Sequence, residues 1–244
     1  SQSTASIEPR FGLKYAFSDR VRFKVAGGFY SQNLISTVND QDVVNFFVGF
    51  LAGPQERLFL PGANDPVNHR LQKASHIVGG LEIDIADNIE LNIEPYFKRF
   101  NQLIQVNRNK IDPEDPDFQT ETGRAYGLDF SLRYQTRNTY FWATYSLAKV
   151  ERYDGEQVYP TIFDRRHNVN VLATYAFGED NSWEASARWN YGSAFPFTQT
   201  QGFYQEVPFS DLILTDILTG NYNLGTLLTQ ERNAGRLSDY HRLD

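Results

Sequence analysis

The chain of 244 residues carries net charge −7, no cysteine and an aromatic share of 15%. That aromatic content excludes disorder, the acidic balance argues against general nucleic-acid binding, and the missing cysteines exclude disulfide frameworks and thiolate metal sites. No run approaches the roughly eighteen apolar residues of a transmembrane helix, and a mean hydropathy of −0.49 conceals any pattern that alternates. Methionine is absent even at position 1, where Ser stands. We therefore expect an internal piece of a longer protein, or a processed one.

The first element runs from Ile7 to Phe17 with period two. Ile7, Pro9, Phe11, Leu13, Tyr15 and Phe17 alternate with Glu8, Arg10, Gly12, Lys14 and Ala16. Successive side chains of a strand point to opposite faces, so this is a strand with one apolar side. After Ser18-Asp19-Arg20 the pattern returns. Val21, Phe23, Val25, Gly27 and Phe29 oppose Arg22, Lys24, Ala26, Gly28 and Tyr30, which predicts a tight antiparallel hairpin. A second hairpin sets Gly79, Leu81, Ile83 and Ile85 before a turn at Asp87-Asn88, then Leu91, Ile93, Pro95 and Phe97. A third carries Tyr126, Leu128, Phe130, Leu132 and Tyr134, turns near Arg137-Asn138, and returns through Phe141, Ala143, Tyr145 and Leu147, with Tyr140 and Trp142 on its polar face. The fourth has Val169, Val171, Ala173, Tyr175 and Phe177, a turn over residues 178–181, then Trp183, Ala185, Ala187, Trp189 and Tyr191.

Each of these eight strands is about ten residues or more, whereas globular strands run about five to six and tilted bilayer-spanning strands about nine to eleven. Turns within hairpins are short, while the connections between them, about 34–72, 108–123, 153–166 and 200–240, are long. That alternation is the signature of outer-membrane barrels, with short periplasmic turns and long extracellular loops. The apolar faces carry Tyr15, Phe17, Tyr134, Tyr175, Phe177 and Trp183 next to the short turns. They carry Phe29, Phe97, Tyr126, Trp189 and Tyr191 near the long-loop ends. Two aromatic belts around an aliphatic middle suit the two interfaces of a membrane. Trp183 to Tyr191 spans roughly 26 Å of strand, or about 20 Å of depth at ~40° tilt, near the ~25 Å apolar band of such barrels. A soluble β-sandwich also alternates but predicts shorter strands and no paired belts.

In a membrane barrel the polar face lines the lumen. Here it holds Arg22, Lys24, Asp84, Glu94, Lys98, Asp129 and Arg133 as candidate ligand-contacting residues, with Glu8, Arg10, Lys14, Glu82, Glu184 and Arg188 beside them. Charges of both signs suit a wide wet lumen or contact with a plug better than a small, side-chain-filled barrel. Pairing among themselves and with water is the alternative for each.

Glu8 to Tyr15, Tyr159-Pro160 followed by Asp164 to Asn170, Trp189 to Phe197, and the terminal stretch Gly235 to Asp244 together resemble the C-terminal half of the barrel of TonB-dependent outer-membrane receptors. The similarity is greatest to the large receptors of Bacteroidota-like bacteria. The resemblance implies a 22-stranded barrel closed around a plug. Residues 1–244 would then be part of one such domain, about eight to nine strands, with Tyr240 to Asp244 beginning the next strand and the plug outside this chain. It also implies TonB-dependent import of a scarce solute (siderophore, cobalamin, glycan or peptide) across the bacterial outer membrane. The implied partners are outer-membrane lipid, the remainder of the barrel and its plug, TonB through the plug-bearing part, and a surface lipoprotein. A complete eight-stranded barrel with a terminal tail, acting as a passive porin or structural protein, is the alternative.

No catalytic, cofactor or metal motif accompanies these features, and the expectation is a non-enzyme without cofactor. His69, His76, His167 and His241 form no ligand pair, and His167 reads as a rim hydrogen-bonding residue. Glu82 and Asp84 share a face without a nearby nucleophile. The acidic run Asp112 to Asp117 lacks the glycine of a calcium loop. Two loop stretches are unexpectedly apolar, Val43 to Leu51 and Phe209 to Leu228. They should pack on neighbouring loops or serve as a ligand cap or docking surface.

Overall fold

The computed structural model describes residues 6–36, 49–52, 54, 56–63, 65–67, 70–107, 110, 113–205 and 224–244. The strands are β1 (Arg10–Ser18), β2 (Val21–Gln32), β3 (Leu34–Ser36), β4 (Phe50–Ala52), β5 (Gln72–Ala86), β6 (Ile89–Val106), β7 (Phe118–Gln135) and β8 (Thr139–Tyr153). They continue with β9 (Val158–Pro160), β10 (His167–Phe177), β11 (Trp183–Gly192), β12 (Pro196–Phe197), β13 (Thr200–Gln205), β14 (Leu224–Leu228), β15 (Gly235–Arg236) and β16 (Tyr240–Leu243).

One antiparallel sheet dominates, in the order β1-β2-β5-β6-β7-β8-β10-β11-β16, with β9 added to β8. All four expected hairpins are present, and their registers keep the apolar residues on one face: Tyr15 opposes Phe23, Phe97 opposes Tyr126, and Val171 opposes Trp189. The first turn is closed by the Ser18 hydroxyl, which accepts from the backbone N–H groups of Arg20 (3.3 Å) and Val21 (3.1 Å). The fourth turn passes through left-handed backbone at Gly178, Asp180 and Asn181, conformations that glycine and asparagine reach at least cost.

Two expectations about boundaries need correction. First, the strands extend well beyond the expected apolar segments at the long-loop end. Residues 72–78, 98–106, 118–125 and 148–153 belong to β5, β6, β7 and β8, so 118–123 is not loop. Apolar residues there fall on both faces among polar ones, as Leu103 and Ile104 do, which erases the alternation that marks a one-sided strand. Second, no eight-stranded closure forms among the described residues. β1 pairs only with β2, and Tyr240 to Leu243 take the edge of β11 as a ninth strand instead of trailing away as a tail.

Among the described residues no second layer covers the apolar face. Phe11, Leu13, Tyr15, Phe17, Phe29, Ile77, Phe97, Tyr175, Phe177 and Trp183 are all exposed, Trp183 by 68%. The hydrophobic cluster instead lies at the long-loop end, where Ile35, Leu58 and Ile104 are buried and packed by Val67 and Phe118. Ile35, Leu58 and Val67 come from the connection between β2 and β5 and pack with Ile104 of β6 and Phe118 of β7. A sheet that leaves its apolar face bare and keeps its small core in its loops does not have the layered burial of a sandwich. Of the two apolar loops, 43–48 and 209–218 lie outside the described residues. Phe50, Leu51 and Leu227 are exposed.

Candidate lumen wall and loop-end cleft

The polar face of β1, β2, β5 and β6 is an ion-pair ladder. Lys14 reaches Glu82 at 3.0 Å from one side and Lys24 at 3.1 Å from the other. Arg22 donates to Glu82 through Nε at 3.0 Å and to both oxygens of Asp84 at 2.6 and 2.9 Å. Lys24 also pairs with Glu94 at 2.6 Å. Strand register creates this arrangement: Arg22 sits opposite Glu82 and Lys24 opposite Gly80, so each cation lies between carboxylates one rung apart. Bidentate guanidinium–carboxylate geometry is the strongest form of such pairing.

Of the candidate ligand residues, Arg22, Lys24, Asp84 and Glu94 are therefore brought together and bound to each other, with Glu82 at the centre. Arg133 pairs separately with Glu90. Lys98 lies 5.4 Å from the Tyr96 ring centroid. Asp129 faces Glu94 across β6 and β7 and Ser146 across β7 and β8, and forms no ion pair among the described residues. The Glu94–Asp129 opposition is unfavourable by itself. Lys24 on Glu94 offsets it.

On the other face the aromatic residues fall into rungs. Phe97 and Tyr126 are paired with each other, and Tyr134 aligns with Ile89 and Phe141. Phe177 opposes Trp183 nearest the short turns, while Trp189 and Tyr191 lie toward the long loops with Phe29. The rung above Phe97 and Tyr126 changes character at once: Arg99 opposes Arg124, and Arg124 pairs with Glu151 at 2.8 Å. The apolar band thus has a charged upper limit one rung beyond its aromatics.

Above that limit, charge is buried. Glu121 is 1% exposed. It accepts from the Tyr159 hydroxyl at 2.7 Å and from Gln105, and lies 3.4 Å from Arg232 and 3.6 Å from Arg152. Arg232 also pairs with Asp154 at 3.1 Å and stacks 5.1 Å over the Tyr159 ring. Asp164, fully buried, accepts from the Val150 N–H and from Arg236, both at 2.8 Å. The Arg236 guanidinium also donates to the Asp164 and Ala194 carbonyls, at 3.0 and 3.1 Å. Burying carboxylates costs several kcal/mol each unless such partners are present. These contacts tie residues 229–239 to the β8–β10 connection, and the stretches Asp164 to Asn170, Trp189 to Phe197 and Gly235 to Asp244 meet on one rim. The β12–β15 ladder joins Pro196 to Arg236 and Phe197 to Gly235.

His167 makes hydrogen bonds at the start of β10: its backbone N–H donates to the Ser193 hydroxyl, and its Nδ1 lies 2.9 Å from the Tyr145 hydroxyl. Asp239 accepts from the Tyr191 hydroxyl (2.8 Å) and the Ala194 N–H (2.9 Å). These two bonds, the hydroxyl first, hold its carboxyl below the usual carboxylate range. Glu8 is held low in the same way by the Ser31 hydroxyl.

Between these connections lies an open cleft of about 800 Å³. Phe59, Leu60, Pro61 and Phe118 give it an apolar wall, and Gln119, Gln157, Thr198 and Gln230 supply amides and a hydroxyl. A concave, partly apolar surface with a few converging polar groups can hold a solute of moderate size. The Glu121 cluster and the cleft escaped sequence reasoning because their residues come from four connections far apart in the chain.

Compared with protein-family models the chain matches none, and no curated protein matches it.

Proposed function

We propose that this chain is part of the wall of a wide transmembrane β-barrel in a bacterial outer membrane, and that the barrel imports a scarce solute with energy from TonB. The observation that carries the membrane reading is the bare apolar face. It is bounded above by a charged rung and backed by a face of interlocked ion pairs. Exposed to water, an apolar surface of that extent would be a liability. In lipid it is what the bilayer requires. Open sheet edges are not tolerated in lipid, so β1 and the lower part of β11 would be completed by further strands of the same barrel.

Import through a wide barrel is favoured over a small closed one by the nine strands that follow one another without closure among the described residues. A lumen that wide leaks unless it is plugged, and a plug needs an energised partner to move it. In this reading the four long connections form the outer mouth, the loop-end cleft captures the solute, and the wall performs no chemistry. The test is solute uptake by cells carrying the full-length protein, with and without TonB. Uptake abolished without TonB supports the proposal. TonB-independent uptake with high conductance in planar bilayers refutes it in favour of a passive porin.

A further inference from the structure

Cations on the polar face are held differently at the two ends of the sheet. On β1, β2, β5 and β6, Lys14, Arg22 and Lys24 are each paired with carboxylates. On the β10–β11–β16 side, Arg165 and Arg188 make no side-chain hydrogen bond or ion pair among the described residues, and the Arg165 Nε is buried without a partner. The two line one cavity of about 410 Å³, together with the amides of Asn168, Asn170 and Asn190. Of the carboxylates around it, Asp164 is paired with Arg236, Asp244, which also lines the cavity, is paired with Arg242 at 2.7 Å, and Asp239 accepts from the Tyr191 hydroxyl and the Ala194 N–H.

Arg165 is placed rather than dangling. Its guanidinium carbon lies 4.1 Å from the Phe195 ring centroid. It crosses the β11 backbone at Gly192, where any Cβ would collide with the guanidinium. A planar guanidinium fixed by stacking loses little further freedom when it binds oxygen atoms in its fork. Two guanidinium groups without a carboxylate partner among the described residues thus line one cavity.

We propose that Arg165 and Arg188, with the asparagine amides beside them, form a binding site for an anionic group, a carboxylate or phosphate. The group belongs either to a solute within the barrel or to a polypeptide segment that fills it. Paired oxygens match the guanidinium forks, and the amide N–H groups supply donors that carry no charge. The inference rests on the lumen reading for the route by which the anion arrives. Binding itself needs only the patch.

The experiment uses the full-length protein in nonionic detergent at low ionic strength, titrated calorimetrically with citrate, with inorganic pyrophosphate and with sucrose. One of the two anions binds and sucrose does not. R165Q and R188Q each weaken binding about tenfold or more, and R165K, which keeps the charge but not the fork, falls between. Unchanged heat-modifiable mobility of the variants establishes that they fold. If added anions do not bind but R165Q and R188Q, unlike R165K, are cleaved internally where the wild-type protein is not, the anion is a carboxylate of the protein itself and the site stands. Anion binding unaffected by both substitutions overturns the proposal, as does the absence of both anion binding and any protease effect. Loss of TonB-dependent uptake is a separate result: anion binding that persists without it leaves the site intact and refutes only the import reading.

Discussion

Replacing Leu147 by Arg, and separately its neighbour Ser146 by Arg, places the same charge on the two faces of β8. Leu147 is 39% exposed on the apolar face, where it aligns with Leu128 and His167. Ser146 lies between Asp129 and Asn168 on the polar face. The Leu128–Leu147 rung is one above the Phe130–Tyr145 rung, which is midway between the Phe97–Tyr126 rung and the Tyr134–Phe141 rung. One rung is two residues, roughly 6.6 Å of strand and roughly 5 Å of depth at ~40° tilt. An outward Arg costs about 3 kcal/mol at the bilayer midplane and about 0.5 kcal/mol at its edge, ~12 Å away. Leu147→Arg should then cost about 2 kcal/mol, roughly a 30-fold shift in the folding equilibrium. Ser146→Arg, beside an unpaired Asp129, should cost less than about 0.5 kcal/mol. Denaturant unfolding of the full-length protein in lipid vesicles measures both. A difference between the two variants below about 0.5 kcal/mol would mean that the apolar face does not meet lipid.

Arg22→Met removes the bidentate partner of Asp84 and should lower stability only slightly, since the lysines still reach Glu82. The loss should shrink in ~1 M salt; equal losses in low and high salt would argue against an electrostatic origin. Arg232→Met leaves Glu121 and Asp154 short of a cation and should release residues 229–239 at a local cost of about 3 kcal/mol. Limited proteolysis should show new cleavage there while the long strands resist, and an unchanged digest would mean that Arg232 does not hold residues 229–239 in place. Asp239 has a depressed carboxyl pKa, so its contribution to docking the terminal segment is complete above the unfolded value of ~3.9 and fades as pH falls through the folded one. Asp239→Asn should remove that acid dependence, read from exchange of the Ala194 amide. An acid limb as steep as the wild type's would exclude the carboxylate as its source.

The hairpins were legible because a strand that meets water on one side and an apolar medium on the other must alternate, and Leu13, Val25, Leu81 and Phe130 do so without interruption. The same alternation put the aromatic side chains on one face, whereas the strand at Tyr240 to Leu243 was expected only from the resemblance. Strand ends above the apolar band were not, since Gln102, Gln105, Thr120 and Glu121 are buried by the connections folded over them and are interleaved with Leu103 and Ile104, so they leave no periodic trace.

The candidate site divides along the same line. That Arg22, Lys24, Asp84 and Glu94 share a face follows from parity, a property of each strand alone. That they saturate one another, while Arg165 and Arg188 are left without carboxylates, depends on which strands are neighbours and in what register. Burial of Glu121 against Arg152 and Arg232, and the meeting of Asp164 with Arg236, join residues far apart in the chain. Periodicity along one strand determines which side chains point to the same side. Only the tertiary structure, by setting strand order and folding the connections over one rim, decides which opposite charges meet and which remain open to a ligand.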